Sequence, residues 1–191
     1  MTQDRLKLAG WLSILNAVIT IPSAVMGFIM GFKNIAPNFV VIVLSVLSIL
    51  IFIYILLTFK GLLNSYFNFY NVDTIIAMFI WANVFLTGAN IVPSFLPEYK
   101  VKIGIFTLMV GLLCGILNIM LGVKLLKLKE DLFGLLKPFS YFTIATGILY
   151  LTIVLLPLCM IAEVISSILL AIIFFRATKC TNKSSEENII I

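Results

Sequence analysis

The sequence has no histidine, three cysteines and only 11% charged residues along its 191 positions. Histidine is the commonest metal ligand and the commonest general acid or base, so its absence argues against a metal centre and against acid–base catalysis. Cys114, Cys159 and Cys180 are far apart in the chain and form no Cys-x-x-Cys pair. We therefore expect neither a metal site nor an intrachain disulfide.

The pairs of side chains that usually carry out catalysis inside a membrane are also missing. The apolar stretches contain no two aspartates and no Ser–Lys combination, so a nucleophile with its activating base is not available there. We therefore predict no enzyme activity, no bound metal and no cofactor.

Apolar residues are what the sequence has in excess. They make up 62% of the chain, with a mean hydropathy of +1.21, whereas soluble domains are about 45–50% apolar. Lipid is therefore the expected solvent, and only helices or closed barrels satisfy their backbone groups there. Long runs such as 39–59 do not alternate as barrel strands do. An all-α integral membrane protein is predicted.

The apolar runs predict about six transmembrane helices in one domain, residues 1–176, followed by a polar cytoplasmic tail, 177–191. A span needs roughly 20 apolar residues. The predicted spans are 8–30, 39–59, 74–95, 103–123, 139–156 and 161–175. The last pair is short, because two full spans need roughly 40 residues; it is either a short pair or a re-entrant hairpin.

The basic residues indicate the orientation of the predicted bundle. They stand singly or in small groups at the ends of the apolar runs, which is not a nucleic-acid-binding pattern and is typical of membrane topology. With the N-terminus inside, only Lys33, Lys100 and Lys102 lie outside. The inner ones are Arg5, Lys7, Lys60, Lys124, Lys127, Lys129, Lys137, Arg176, Lys179 and Lys183. Both termini are therefore predicted to be cytoplasmic.

Two connections on the inner side are longer than a turn requires. Residues 123–136 place leucines at helical spacing opposite charged residues, which predicts an amphipathic helix at the membrane surface or an extension of the fourth helix. Residues 59–71 are rich in aromatic side chains and suit the headgroup region.

Polar and small residues recur every three or four positions on the first, third and fourth predicted helices. The polar candidates are Asn16, Thr20, Asn83, Thr87, Asn90 and Asn118, and the candidates for close helix packing are Gly27, Gly31, Gly111 and Gly115. Such stripes favour helix–helix contacts, so we expect these three helices to form an inner bundle and the second helix to face lipid. The alternative is that the polar stripes line a hydrated pathway.

Glu163 is an acidic residue inside the last apolar run. A charge within hydrocarbon costs about 2.5–3.5 kcal/mol unless it is paired or protonated. Its expected partners are Ser166, Ser167, asparagines of the third and fourth helices, or lysines of the outer loop. Glu163 is either a proton- or cation-binding site or a residue at a short outer turn that reaches water.

Two functional hypotheses follow. The first is a non-catalytic subunit or scaffold of a membrane assembly that acts through helix–helix contacts, as a homo-oligomer or with other membrane subunits. The alternative is a small-solute or ion transporter or channel with Glu163 as its binding site. The lipid bilayer is the expected partner and nucleic acid is not. The composition is that of small multi-pass proteins common in bacteria, so the bacterial inner membrane is the expected location.

Overall fold

The protein folds entirely into helices. The computed structural model describes residues 2–33, 39–128, 133–152 and 156–187, and no strand occurs within these ranges. The long helices are α1 (Gln3–Lys33), α2 (Phe39–Phe67), α3 (Asp73–Ile91), α4 (Lys100–Leu125), α5 (Leu136–Leu151) and α6 (Leu156–Glu187). Two short 3-10 helices, Val92–Ser94 and Pro97–Tyr99, connect α3 to α4. The predicted all-helical fold is confirmed.

The outer surface of the bundle is apolar. Among the described residues, four helical segments are long and apolar enough to cross a membrane: Phe39–Phe67, Asp73–Ile91, Val101–Leu125 and Leu158–Cys180. Large side chains such as Trp11 (64% exposed) and Trp81 (63% exposed) point outward. These features are consistent with a helical membrane bundle, because outward apolar side chains are stable only against lipid or another apolar surface.

The six helices form a closed ring. Each helix packs against the next along the chain, and α6 packs back against α1. Within the described ranges, no two long helices bring their backbones together unless they are neighbours in this order. The expected inner bundle of α1, α3 and α4 is therefore wrong. The polar faces of these helices are turned to the middle of the ring, and α4 makes its closest approach to α5.

Contacts between helix ends place the start of α1 and the last part of α6 at the same end of the ring, here named the termini end. It comprises the starts of α1, α3 and α5 and the ends of α2, α4 and α6. Lys60 Nζ lies 3.2 Å from Asp73 Oδ2, Lys124 Nζ donates to the Asn71 carbonyl over 2.7 Å, and Gln3 Nε2 donates to the Thr178 carbonyl over 3.5 Å. The opposite end is named the far end.

The buried apolar core fills the half of the ring near the termini end. Its fully buried large side chains are Leu6, Phe59, Leu62, Leu63, Val72, Ile76, Leu125, Ile173 and Phe174. Each of those on α1 to α4 lies within about two helical turns of the helix terminus at this end, and Ile173 and Phe174 lie within about two turns of Thr178, which contacts Gln3. The ring is therefore packed solid at one end, and the space between the helices lies beyond that core.

The connection after α2 is shorter than the aromatic segment 59–71 suggests. α2 continues through most of it and ends where Asn68 adopts a φ of 48°, and the Phe69 N–H then donates to the Leu63 carbonyl over 3.2 Å. This closure is one residue longer than a Schellman motif, but it works in the same way: a left-handed residue reverses the chain and a terminal carbonyl is satisfied. Asparagine tolerates that conformation better than most residues.

The segment 123–136 does not form the continuous amphipathic helix that its leucine spacing predicts. α4 ends at Leu125, and Phe133 and Gly134 have φ values of 54° and 80°. Two successive left-handed residues cannot belong to a right-handed helix. Residues 129–132 of this segment lie outside the described ranges.

α6 is longer than the sequence predicts at both ends. Pro157, expected to break the chain near a turn, is instead the second residue of α6, where a missing N–H is tolerated because the first turn has no intrahelical acceptor for it. At the other end the helix continues beyond the predicted limit of 175 to Glu187, through most of the predicted polar tail. Residues 188–191 of that tail lie outside the described ranges.

Candidate solute-binding cavity

The ring of helices surrounds a partly open cavity of about 460 Å³, and every one of the six helices contributes polar side chains to it. This volume is within the range of small-molecule sites, roughly 300–1,000 Å³. The polar lining consists of Ser13, Asn16, Thr20, Ser45, Ser48, Asn83, Thr87, Asn90, Cys114, Asn118, Thr143, Thr146, Tyr150, Cys159, Glu163, Ser166 and Ser167. Apolar outer faces thus surround a polar interior.

The ring brings together the polar residues that the sequence singles out. Glu163 and the six stripe residues Asn16, Thr20, Asn83, Thr87, Asn90 and Asn118 all line the cavity. The sequence predicts that these residues either bridge neighbouring helices or line a pathway. In the structure they all face the same cavity. α2, expected to face lipid, also adds Ser45 and Ser48 to the lining.

Apolar side chains close the cavity towards the termini end. This floor consists of Ile55, Leu56, Phe79, Leu121, Phe139 and Leu170. The ring of Phe139, in this floor, meets the ring of Phe59 edge to face, with 5.5 Å between centroids. Phe59 is 1% exposed and Phe139 is 5% exposed, so this aromatic pair separates the cavity from the surface at the termini end.

Glu163 lies in the polar part of the cavity, two turns inside α6. Its Oε1 accepts a hydrogen bond of 2.8 Å from the Tyr150 hydroxyl of α5. No lysine or arginine is among the described lining residues. The position differs from the short outer turn that was one of the two expectations, because α6 already begins at Leu156.

Tyr150 is a site residue that sequence reasoning missed. It was counted as part of an apolar run, although a tyrosine hydroxyl inside such a run needs a hydrogen-bond partner. The sequence feature that could have identified Tyr150 as a partner of Glu163 is its position. The two residues are separated by 13 positions and lie on either side of the turn between two antiparallel helices. Residues so placed around a turn lie at similar depths in the bundle.

Two of the three cysteines also face the cavity. Cys114 and Cys159 are buried, free thiols in its wall, whereas Cys180 is exposed. Cys159 Sγ lies 3.9 Å from the Thr146 carbonyl and donates to it. Over the described part of the chain, no three His, Cys, Asp or Glu side chains are grouped closely enough to hold a metal ion.

The glycine candidates divide into those that pack and those that do not. Gly115 of α4 contacts α5, since a Cβ built on Gly147 would lie 2.6 Å from the Gly115 carbonyl oxygen. Gly111 does not make the contact that the G-x-x-x-G pattern predicts; no described atom lies within 4 Å of a Cβ placed there, because Gly111 is one helical turn beyond the point where Gly115 crosses α5. Gly27 and Gly31 lie in the part of α1 whose surroundings are outside the described residues.

Comparison with protein-family models, with curated proteins and with solved structures finds no match to this chain.

Proposed function

We propose that this chain is a membrane protein that binds a small polar solute in the cavity of its helix ring and moves it across the membrane. The observation that carries the proposal is the polar lining contributed by all six helices. Polar side chains inside a bilayer are costly unless they face one another or a polar space. A protein that needed only helix–helix contact would gain nothing from keeping so many of them around a cavity.

The proposal includes an arrangement in the membrane. All six helices span the bilayer, both termini are cytoplasmic, and the membrane is the bacterial inner membrane. The distribution of lysine and arginine supports this orientation. In this arrangement the apolar floor faces the cytoplasm and the polar part of the cavity lies towards the outer side, from which we propose that it receives solute. Release to the inside then requires the floor to open.

Flux measurements on reconstituted protein test this function. Proteoliposomes are loaded with radiolabelled guanidinium, urea or acetate, which are small cationic, neutral and anionic probes, and efflux is followed. Thr87→Trp fills the cavity, since Thr87 lines it. Phe85→Trp is the matched control, because Phe85 lies on the same helix and is 57% exposed on its outer face. We expect flux of at least one probe that Thr87→Trp abolishes and Phe85→Trp retains.

The second candidate is the non-catalytic subunit, and one observation favours it. Gly104 and Gly111 lie seven residues apart on α4, and a Cβ added to either would meet nothing within 4 Å. Small residues on an open helix face allow another helix to approach closely. If no probe crosses the membrane and a second membrane protein co-purifies with the wild type but not with Gly111→Leu, the subunit role is correct and the transport proposal is wrong.

A further inference from the structure

Several hydroxyls around the cavity already use their donor within the protein, which leaves their oxygens as acceptors. Five hydroxyls donate to the carbonyl four residues earlier in their own helix. These bonds are Ser13 to Ala9, Thr20 to Asn16, Ser45 to Val41, Thr143 to Phe139 and Thr146 to Phe142, each 2.8 Å long. A serine or threonine that donates in this way keeps its oxygen lone pairs available to the cavity.

Three further lining groups donate within the protein. Ser48 Oγ donates to Asn16 Oδ1 over 3.4 Å. Asn83 Nδ2 donates to the Phe79 carbonyl over 2.9 Å, and Asn118 Nδ2 donates to the Cys114 carbonyl over 3.1 Å. Asn83 Nδ2 also donates to Cys114 Sγ over 4.0 Å, and the Oδ1 atoms of both amides are pure acceptors. Among these eight groups, acceptors therefore outnumber unused donors, and Ser166 Oγ is buried without a partner among the described residues.

Glu163 adds charge to this acceptor-rich surface. The Tyr150 hydroxyl uses its one proton on Glu163 Oε1, which leaves the second carboxylate oxygen for a ligand. An anion entering the cavity would meet the carboxylate and oxygen lone pairs without a cation to pair with among the described lining residues. A solute with positive charge and several N–H groups would instead find an acceptor for each of them.

The size and the apolar part of the lining argue for an organic cation over a bare metal ion. A divalent ion such as calcium needs six to eight oxygens within about 2.6 Å of one point, whereas these acceptors surround about 460 Å³. Phe52 and Phe79 also line the cavity, with ring centroids 5.6 Å apart. Aromatic faces accommodate alkyl groups and attract cations.

We propose that the cavity is selective for small organic cations rich in N–H donors, of the alkylguanidinium or alkylammonium class, whose charged head pairs with Glu163. This inference rests on the proposed function, since it names the solute class of the same cavity. The guanidinium group suits the site well, because it is planar, permanently charged and has five N–H donors when singly alkylated and no acceptor.

Equilibrium binding to the detergent-purified full chain tests the selectivity with matched probes. Butylguanidinium and butylurea have nearly the same shape but differ in charge and in donor number, tetramethylammonium has charge without N–H donors, and butyrate is an acceptor-only anion. We expect butylguanidinium to bind at least about ten-fold more tightly than each of the others, since hydrogen bonds to a charged group are worth about a factor of ten or more.

Variants connect that preference to the cavity. Glu163→Gln should weaken butylguanidinium binding about ten-fold or more and leave butylurea binding nearly unchanged. Glu98→Gln, an exposed acid in the connection before α4, is the control and should change neither. Thr146→Val, which keeps the side-chain shape and removes one acceptor, should also weaken butylguanidinium more than butylurea, and it keeps the test valid if Glu163→Gln does not fold.

The outcomes separate this inference from the proposed function. Butylurea or butyrate binding as tightly as butylguanidinium, with loss in Thr87→Trp, would overturn the cation selectivity and leave solute binding correct. No binding of any probe, together with no flux that depends on the cavity, would overturn both. Butylguanidinium binding that survives Glu163→Gln and Thr146→Val unchanged would also overturn the inference, because the cation would then bind elsewhere.

Discussion

The Tyr150 hydroxyl donates a hydrogen bond of 2.8 Å to Glu163 Oε1, and this bond joins α5 to α6 at the level of the cavity. It orients the carboxylate towards the centre of the ring and assigns one oxygen to the protein and one to a ligand. The connection between α5 and α6 includes residues outside the described ranges. The Tyr150–Glu163 bond is therefore a side-chain contact that holds these two helices together near the far end.

Tyr150→Phe should lower the stability of the folded protein. A neutral hydroxyl donating to a carboxylate is worth about 1.5–3 kcal/mol, and the variant leaves Oε1 without this donor. We expect the free energy of unfolding in detergent, measured by denaturant titration, to fall by about 1–2 kcal/mol. Tyr141→Phe is the control, since Tyr141 is on the same helix and 59% exposed.

A double-mutant cycle separates the Tyr150–Glu163 bond from other effects of each substitution. When Glu163→Gln is already present, adding Tyr150→Phe should cost clearly less than it does in the wild type, because the charged acceptor is gone. Equal costs in the two backgrounds would mean that the hydroxyl contributes through something other than this hydrogen bond.

Alanine at Gly147 should lower the stability of the protein, whereas alanine at Gly111 should not. A Cβ on Gly147 would lie 2.6 Å from the Gly115 carbonyl oxygen, so α4 and α5 must move apart, which costs about 1–3 kcal/mol. Gly111 has open space around it, and alanine there should be neutral or stabilise the helix by up to about 1 kcal/mol. Thermal unfolding of the two variants in one detergent measures this; similar midpoints would contradict the packing at α4 and α5.

Truncating an aromatic side chain of the floor should let solute leak through the protein. Phe139 is 5% exposed and contacts Phe59, so Phe139→Ala would leave a void between the cavity and the termini end. We expect non-saturable efflux of guanidinium from proteoliposomes, together with a loss of about 3–5 kcal/mol in stability. Phe106→Ala is the control, because Phe106 is 48% exposed on the outside of α4. Folded Phe139→Ala protein without any leak would show that other residues close the cavity.

Much of this fold follows from local features of the sequence. The apolar runs predict the helices because a helix in lipid must be apolar over roughly 20 residues. The stripes predict a polar face on α1, α3 and α4 because their spacing matches the helical period. The apolar runs and the polar stripes depend only on residues close together in the chain. They can therefore be recognised without knowing which helices pack against each other.

The sequence alone does not predict whether the polar stripes face a neighbouring helix or a cavity. Asn83 suits a helix–helix contact and a cavity equally well, and only the order of helices around the ring decides between them. Gly111 and Gly115 show the same difficulty: both belong to one pattern, yet only Gly115 meets α5, because the crossing point depends on Gly147 in another helix. The predicted helix ends were wrong where a single residue determines the end, as at Asn68 after α2 and at Pro157 at the start of α6.

The proposed orientation predicts which cysteines an impermeant reagent can reach in intact cells. Cys180 is exposed near the termini end and Tyr99 is 45% exposed near the far end, while Cys114 and Cys159 are buried. With both termini cytoplasmic, a charged maleimide should label Tyr99→Cys in a Cys180→Ser background and should not label wild-type Cys180. Permeabilised cells should give labelling at both positions, which controls for intrinsic reactivity. Labelling of Cys180 in intact cells would reverse the orientation, and the cavity would then receive its solute from the cytoplasm.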